Sequence, residues 1–242
     1  MVLFMKRIIA AIAACAAAIA LCAPAAAADR NYSVTDFDRI VIEGPFTVRL
    51  ATGRTTSARA TGSAQALERV SVEVQGRTLR IRPNRSAWGG YPGGAAAPVA
   101  IEVATRELRA ASVNGSGSLA IDRAGGLRLD LAVEGSGRIA VPAVSADTLV
   151  IGLIGSGRIE LAGTAKEVRA SIHGWADLDA ASLRAQGANI VTDSAGRVAL
   201  AVEREATVTA SGIGEVEIVG AAACTVRGLS AAQVRCGRPQ RR

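Results

Sequence analysis

Gly115-Ser116-Gly117, Gly135-Ser136-Gly137 and Gly155-Ser156-Gly157 recur at a step of 20 residues, and after one intervening residue each is followed by an aliphatic, Leu119, Ile139 or Ile159. Three degraded copies keep the register: Gly174-Trp175-Ala176 before Leu178, Ser194-Ala195-Gly196 before Val198, and Gly212-Ile213-Gly214 before Val216. Marked by the third residue of each copy, the steps are 20, 20, 19, 20 and 18. A repeat of this length cannot bury an apolar face by itself and must stack on its neighbours, which is the signature of a solenoid.

Two apolar runs fill each repeat. After the corner come Leu119/Ile121, Ile139/Val141, Ile159/Leu161, Leu178/Ala180, Val198/Leu200 and Val216/Ile218; before the next corner come Leu129/Leu131/Val133, Leu149/Ile151/Leu153, Val168/Ala170/Ile172 and Val208/Ala210. Strands stacked ~4.8 Å apart place all of these in one interior. The fold class expected is therefore all-β, a single-domain, right-handed parallel β-helix with rungs of roughly 20 residues. A tight corner repeated on every coil demands positive φ, which glycine adopts freely, and a serine between two glycines can bond neighbouring backbone across the bend. No apolar stripe of helical period runs for ten residues in the chain after the leader, and an aromatic content of 3% suits a narrow aliphatic interior.

Ahead of the array, Phe37 to Leu50 reads as strand, corner at Gly44-Pro45, strand. Ser57 to Gly62 and Val70 to Arg82 continue the β pattern, with Val70, Val72 and Val74 alternating against polar residues and Leu79 and Ile81 on the return. Ala64 to Arg69 has room for one helical turn. Residues 84–98 break the pattern with a Gly/Pro-rich insertion carrying Trp88 and Tyr91, a recognition tip or an inert loop.

Residues 1–28 read as a signal peptide: Lys6 and Arg7, an apolar run from Ile8 to Leu21, then a small-residue A-x-A stretch ending at Ala28. Ile12-Ala13-Ala14-Cys15 also resembles a lipobox, but cleavage there would leave the apolar run through Leu21 on the product. No later segment is long and apolar enough to span a membrane. The chain expected after cleavage, 29–242, loses two positive charges, so its formal charge falls from +7 to +5, and it ends in a basic tail, 237–242. Export places it in the periplasm, on the outer surface or in the medium, where nucleic acid is a poor partner and anionic polymers are available ones. Cys224 and Cys236, twelve positions apart, are an even pair in an oxidising compartment and are expected to form a disulfide closing the solenoid's end; two buried free thiols are the alternative.

With the register set, outward positions form columns. Just past the corner stand Ser118, Arg138, Arg158, Asp177, Arg197 and Glu215, of which the last four alternate in sign and can pair between rungs. Two positions on stand Ala120, Ala140, Glu160, Asp179, Ala199 and Glu217, so Glu160 and Asp179 neighbour each other. Paired carboxylates are what glycoside hydrolysis uses, but these lie ~5 Å apart on an open face with no cleft to retune them. His173 is the only histidine, which leaves no His-based triad and no two-His metal site. The glycines form neither a Walker A loop nor a calcium-binding nonapeptide repeat, and the sequence requires no cofactor.

Asp36 to Val48, then Val72 to Ile81, then the serial Gly-Ser-Gly corners, together resemble the bacterial auto-transporter adhesin head family, the GIN domain. The resemblance spans nearly all of the chain after the leader and implies an exported β-helical domain of adhesin type. The insertion at 84–98 and the Trp175 corner depart from its pattern. The function expected is that of an exported, non-enzymatic binding or structural module that presents a stiff surface to an envelope polysaccharide or a protein partner. The alternatives are an enzyme acting on an acidic polysaccharide through Glu160, Asp177 and Asp179, and a protein that associates with itself through the solenoid's open ends. In the corner column of Ser116, Ser136 and Ser156 the fourth rung carries Trp175. A small-residue corner has no interior room for an indole, so Trp175 is expected outside, its face free to stack on a sugar ring while His173 and Asp177 offer hydrogen bonds; the alternative is that it folds over a neighbouring corner or the insertion.

Overall fold

The computed structural model describes residues 28–84, 99–229 and 233–237. All but the last residue of the expected leader, the insertion with Trp88 and Tyr91, and the tail beyond Gly237 lie outside the described residues. The chain runs through β1 (Ala28–Tyr32), β2 (Arg39–Glu43), β3 (Thr47–Thr52), β4 (Ser57–Gly62), a short helix α1 (Ala64–Glu68), β5 (Val70–Gln75), β6 (Thr78–Pro83) and β7 (Ala100–Thr105). It then enters the regular array of β8 (Ala110–Gly115), β9 (Ser118–Ile121), β10 (Ala124–Gly135), β11 (Arg138–Gly155), β12 (Arg158–Gly174), β13 (Asp177–Ser194), β14 (Arg197–Ala210), β15 (Glu215–Val219), β16 (Ala223–Arg227) and β17 (Val234–Gly237). Strand makes up 74% and helix 3%, wound into a β-solenoid of about six turns.

The register is the one the repeat dictates. Gly115, Gly135, Gly155 and Gly174 lie over one another on successive parallel rungs, as do Leu119 and Ile139, then Ile139 and Ile159, then Ile159 and Leu178. Every apolar residue of the two runs is buried in one core cluster. Burying each large aliphatic side chain contributes about 1.5–3 kcal/mol, and stacking like on like carries that apolar interior from rung to rung.

Three local features differ from the sequence expectation. Each regular rung has a third, short apolar run, seen in Ala124, Val144 with Ala146, Ala165, Leu183 with Ala185, and Val202, all buried and in mutual register or next to it. These residues are mostly small and follow bulges, so their period-2 signal is faint. Only the first glycine of each corner has positive φ, +106° at Gly115, +112° at Gly135 and +109° at Gly155. The second is required by close approach: a Cβ at Gly157 would stand 2.5 Å from Val133 Cγ1. Finally, the corner is stitched by backbone, with Ser136 N donating to Gly115 O (3.0 Å) and Ser156 N to Gly135 O (2.8 Å), while the serine side chains are exposed.

The amino-terminal segments close the solenoid. β5 and β6 form an antiparallel hairpin, β6 runs parallel to β2, and β2 runs parallel to β8. On the neighbouring side β1 and β4 are antiparallel, β4 is antiparallel to β7, and β7 is parallel to β3. The β2–β3 rung is thus inserted between β6–β7 and β8–β9, although β6 and β7 follow it in sequence. The helical turn forms, its Ser63 side chain accepting from Ala66 N (3.2 Å) and its Ala66 and Leu67 buried against the rung end. At the other end Cys224 and Cys236 are joined in a disulfide, Cα to Cα 6.4 Å, which ties the edge strands β16 and β17.

Gly155→Ala is expected to destabilise by about 1–3 kcal/mol in a denaturant titration, because it combines positive φ with a Cβ placed 2.6 Å from Gly135 O. Ser156→Ala, which removes only an exposed hydroxyl, should change stability by less than about 0.5 kcal/mol. Titration of the processed protein under denaturing, non-reducing conditions should find no free thiol, and replacing both cysteines by serine should cost up to about 3 kcal/mol.

Candidate functional site

The corner is a ridge where two sheets of the solenoid meet. Glycine supplies the turn and the backbone bonds supply the hold, so the apex residue projects outward and is free of packing demands. Trp175 occupies the apex on its rung, anchored by its N–H to Gly155 O (2.7 Å), with its side chain 71% exposed. The indole lies on the surface.

His173 and Asp177 stand on opposite slopes of the ridge, two residues before and after Trp175. They do not converge on it. The His173 ring nitrogen Nε2 lies 3.2 Å from Ser171 Oγ. Asp177 faces along its own column: Oδ2 accepts from Arg158 Nη2 (2.7 Å) and Oδ1 from Arg197 N (2.9 Å). Partial burial works upward on the Asp177 carboxyl, but the Arg197 N–H and the Arg158 guanidinium outweigh it and hold the pKa below the ordinary aspartate value.

The alternating column pairs between rungs, though not everywhere in the expected order. Arg158 binds Asp177, whereas Arg197 reaches diagonally to Glu217 (2.6 Å), and Glu215 pairs with Arg235 (2.8 Å). A guanidinium spans two residues along a strand as readily as one rung across it, so column membership alone does not select the partner. Glu160 and Asp179 are register partners on adjacent rungs, with Arg158 4.0 Å from Glu160. A shallow groove of about 430 Å³ runs beside them, lined by Asp177, Asp179 and Glu217 together with Arg158 and Arg197. Glu160, Asp177 and Glu217 belong to a lattice of surface ion pairs with Arg158 and Arg197, while Asp179 accepts from Ala181 N (3.5 Å). Among the described residues no three metal-ligating side chains gather into a site, and no helix is long and apolar enough to cross a membrane.

The sequence reading missed how apolar this ridge is. Of six large hydrophobic side chains exposed among the described residues, four lie along it: Ile154, Trp175, Ile213 and Leu229; Val191 stands on the adjoining strand face in the column of Ser171, and Leu127 lies elsewhere. Ile213 is the apex residue of its own corner, and Ile154 is the register partner of His173. The signal was present in the outward column of Asn114, Glu134, Ile154, His173 and Asp193, where an isoleucine has no interior to fill.

Asp177 is lower in pKa folded than unfolded, so its stabilisation is complete above the unfolded value and fades as pH falls through the folded one. Asp177→Asn should therefore be less stable than the parent at neutral pH. The difference should shrink between about pH 5 and about pH 2, read as converging melting temperatures.

Comparison with known proteins fits this geometry. A search of curated proteins finds no match. Among solved structures, a "putative adhesin" from Bacteroides fragilis NCTC 9343 superposes with a TM-score of 0.74 at 19% identity, covering 84% of this chain and 94% of that one. A "putative lipid binding protein" from Parabacteroides distasonis ATCC 8503 gives 0.66 at 19% identity, covering 90% and 98%. A "putative adhesin" from the same organism gives 0.62 at 19%, covering 89% and 97%. At these identities the likeness establishes the fold. The family model described as "Putative auto-transporter adhesin, head GIN domain" matches residues 36–222, and the chain belongs to that family.

Proposed function

We propose that this domain is an exported, non-enzymatic contact module of the bacterial envelope or surface, adhesin-like in action, with the ridge around Trp175 as its contact surface. The observation that carries this reading is an indole 71% exposed on a stiff backbone, within a line of exposed aliphatics. A monomeric surface rarely leaves such groups together without an occupant. Rigidity matters because the side chains are already placed and little ordering entropy is lost on contact. The partner is an envelope polysaccharide, whose sugar rings stack on Trp175, or a protein. The reading as a polysaccharide-acting enzyme is less favoured, since both Asp177 oxygens are engaged within the protein and Glu160 and Asp179 stand on an open face. The name of the lipid-binding relative adds an acyl ligand to those worth offering to the ridge.

In a Trp88→Phe background Trp175 is the only tryptophan left to report. Its emission should be that of a solvated indole, quenched by acrylamide, and should shift when a glycan-array hit is added; Trp175→Ala should abolish that binding at an unchanged melting temperature. A quench-resistant, buried-type emission from Trp175 would remove the ridge as a contact surface.

A further inference from the structure

The ridge carries a pattern that names an occupant. Three columns run along it over the last four corners. The column before the apex holds Ile154, His173 and Asp193, with Ser211 next to the register pair Thr192 and Ala210. The apex column holds Ser156, Trp175, Ala195 and Ile213. The column past the apex holds Arg158, Asp177, Arg197 and Glu215. Rungs are ~4.8 Å apart, so each column is a ruler of four evenly spaced positions.

We infer that this ridge docks a second copy of the same chain, antiparallel, about a two-fold axis passing between the rungs of Asp177 and Arg197. The inference rests on reading the ridge as a contact surface and commits that surface to one partner. A two-fold in the interface plane and perpendicular to the solenoid reverses the order of rungs but keeps each column facing itself. In the column past the apex, Arg158 then meets the partner copy's Glu215, and Asp177 meets its Arg197, so all four facing pairs are of opposite charge. At the apex the Trp175 indole lies over Ala195 of the second copy, the small residue of that column that can receive it, and Ile213 meets Ser156. On the other slope His173 faces Asp193, a donor and acceptor pair, and Ile154 faces Ser211. A parallel pairing would instead set Trp175 against Trp175 and lose the match of large on small. The carboxylates and guanidiniums that bind one another within a chain are exposed or half-buried, so they can extend their network across the contact.

The strip is four rungs long and three columns wide, well below the roughly 800 Å² per partner of a standard stable interface, so the dimer is weak and forms where copies are concentrated. Antiparallel docking also points the two solenoids in opposite directions, as for molecules displayed on facing surfaces.

Charge exchange tests the geometry. Sedimentation equilibrium of the purified protein at concentrations on the order of 100 µM should show monomer and dimer in exchange, weakened by added salt. Asp177→Arg alone and Arg197→Asp alone should each sediment as monomer, since each sets like charges against one another twice. Mixed in equal amounts the two variants should associate again as a heterodimer, because each faulty position then meets its opposite. Ala195→Trp, which fills the slot for the indole, should also be monomeric. A wild type that stays monomeric, single variants that dimerise like the wild type, or a mixture that fails to associate would overturn the inference. A monomeric wild type whose Trp175 still binds a glycan hit sinks only the second copy as partner; a Trp175→Ala variant that keeps both glycan binding and dimerisation sinks the contact surface as well.

Discussion

Each coil of this protein is held to the next by backbone hydrogen bonds that cross every corner without slack. Gly135 O lies in the path of any Cβ at Gly155, and Gly115 O in the path of one at Gly135, so the corners approach as closely as two backbones can. That approach fixes the rung spacing, which stacks the buried aliphatics in register and makes the outside a set of straight columns. Core, edge and surface all follow from it. A chain able to place a side chain at these glycines would have to open the corner, and the ladder on either side would lose its alignment.

The array was legible because its period is enforced by contacts between identical positions. Leu119, Ile139, Ile159 and Leu178 each touch the like residue one rung away, so the sequence repeats wherever the structure does. The amino-terminal cap has no such rule. That β6 and β7 lie outside β2 and β3 depends on which edge the hairpin of β5 and β6 finds once the first rung exists, and no local signal in residues 57–83 encodes it. The third run was obscured for a different reason: bulges between Val141 and Val144, and between Ala180 and Arg184, shift its register from rung to rung and erase the alternation. At the ridge, the exposure of Trp175 could be argued from the lack of interior room, whereas the partner of Arg197 could not, because a long flexible cation chooses among acids that columns alone do not rank.

The two ends of the solenoid are closed by different physics. At the amino-terminal end antiparallel strands β1, β4 and β5 and the buried Leu67 of α1 cover the last rung. At the other end the terminal rung is two short strands, β16 and β17, tied by Cys224 and Cys236. A covalent tie restrains an edge that has few cross-strand bonds, which matters for a parallel stack whose last member has a neighbour on one side only.

The apex of the corner is the place where this architecture leaves the sequence free. In the regular rungs the apex is serine, exposed and replaceable. Past the fourth corner the leading glycine gives way to Ser194, which is buried and uses its hydroxyl as the earlier rungs use backbone alone, donating to Ala176 O (3.3 Å) and accepting from Gly196 N (2.9 Å). The ridge is thus kept by a different device, with no change in what the apex must satisfy. Trp175 and Ile213 therefore cannot be explained by folding: neither fills the interior, and both expose apolar area to water, which favours any contact that removes it. Their place at the apex, where the fold makes no packing demand, leaves that apolar area free to meet a surface outside the chain.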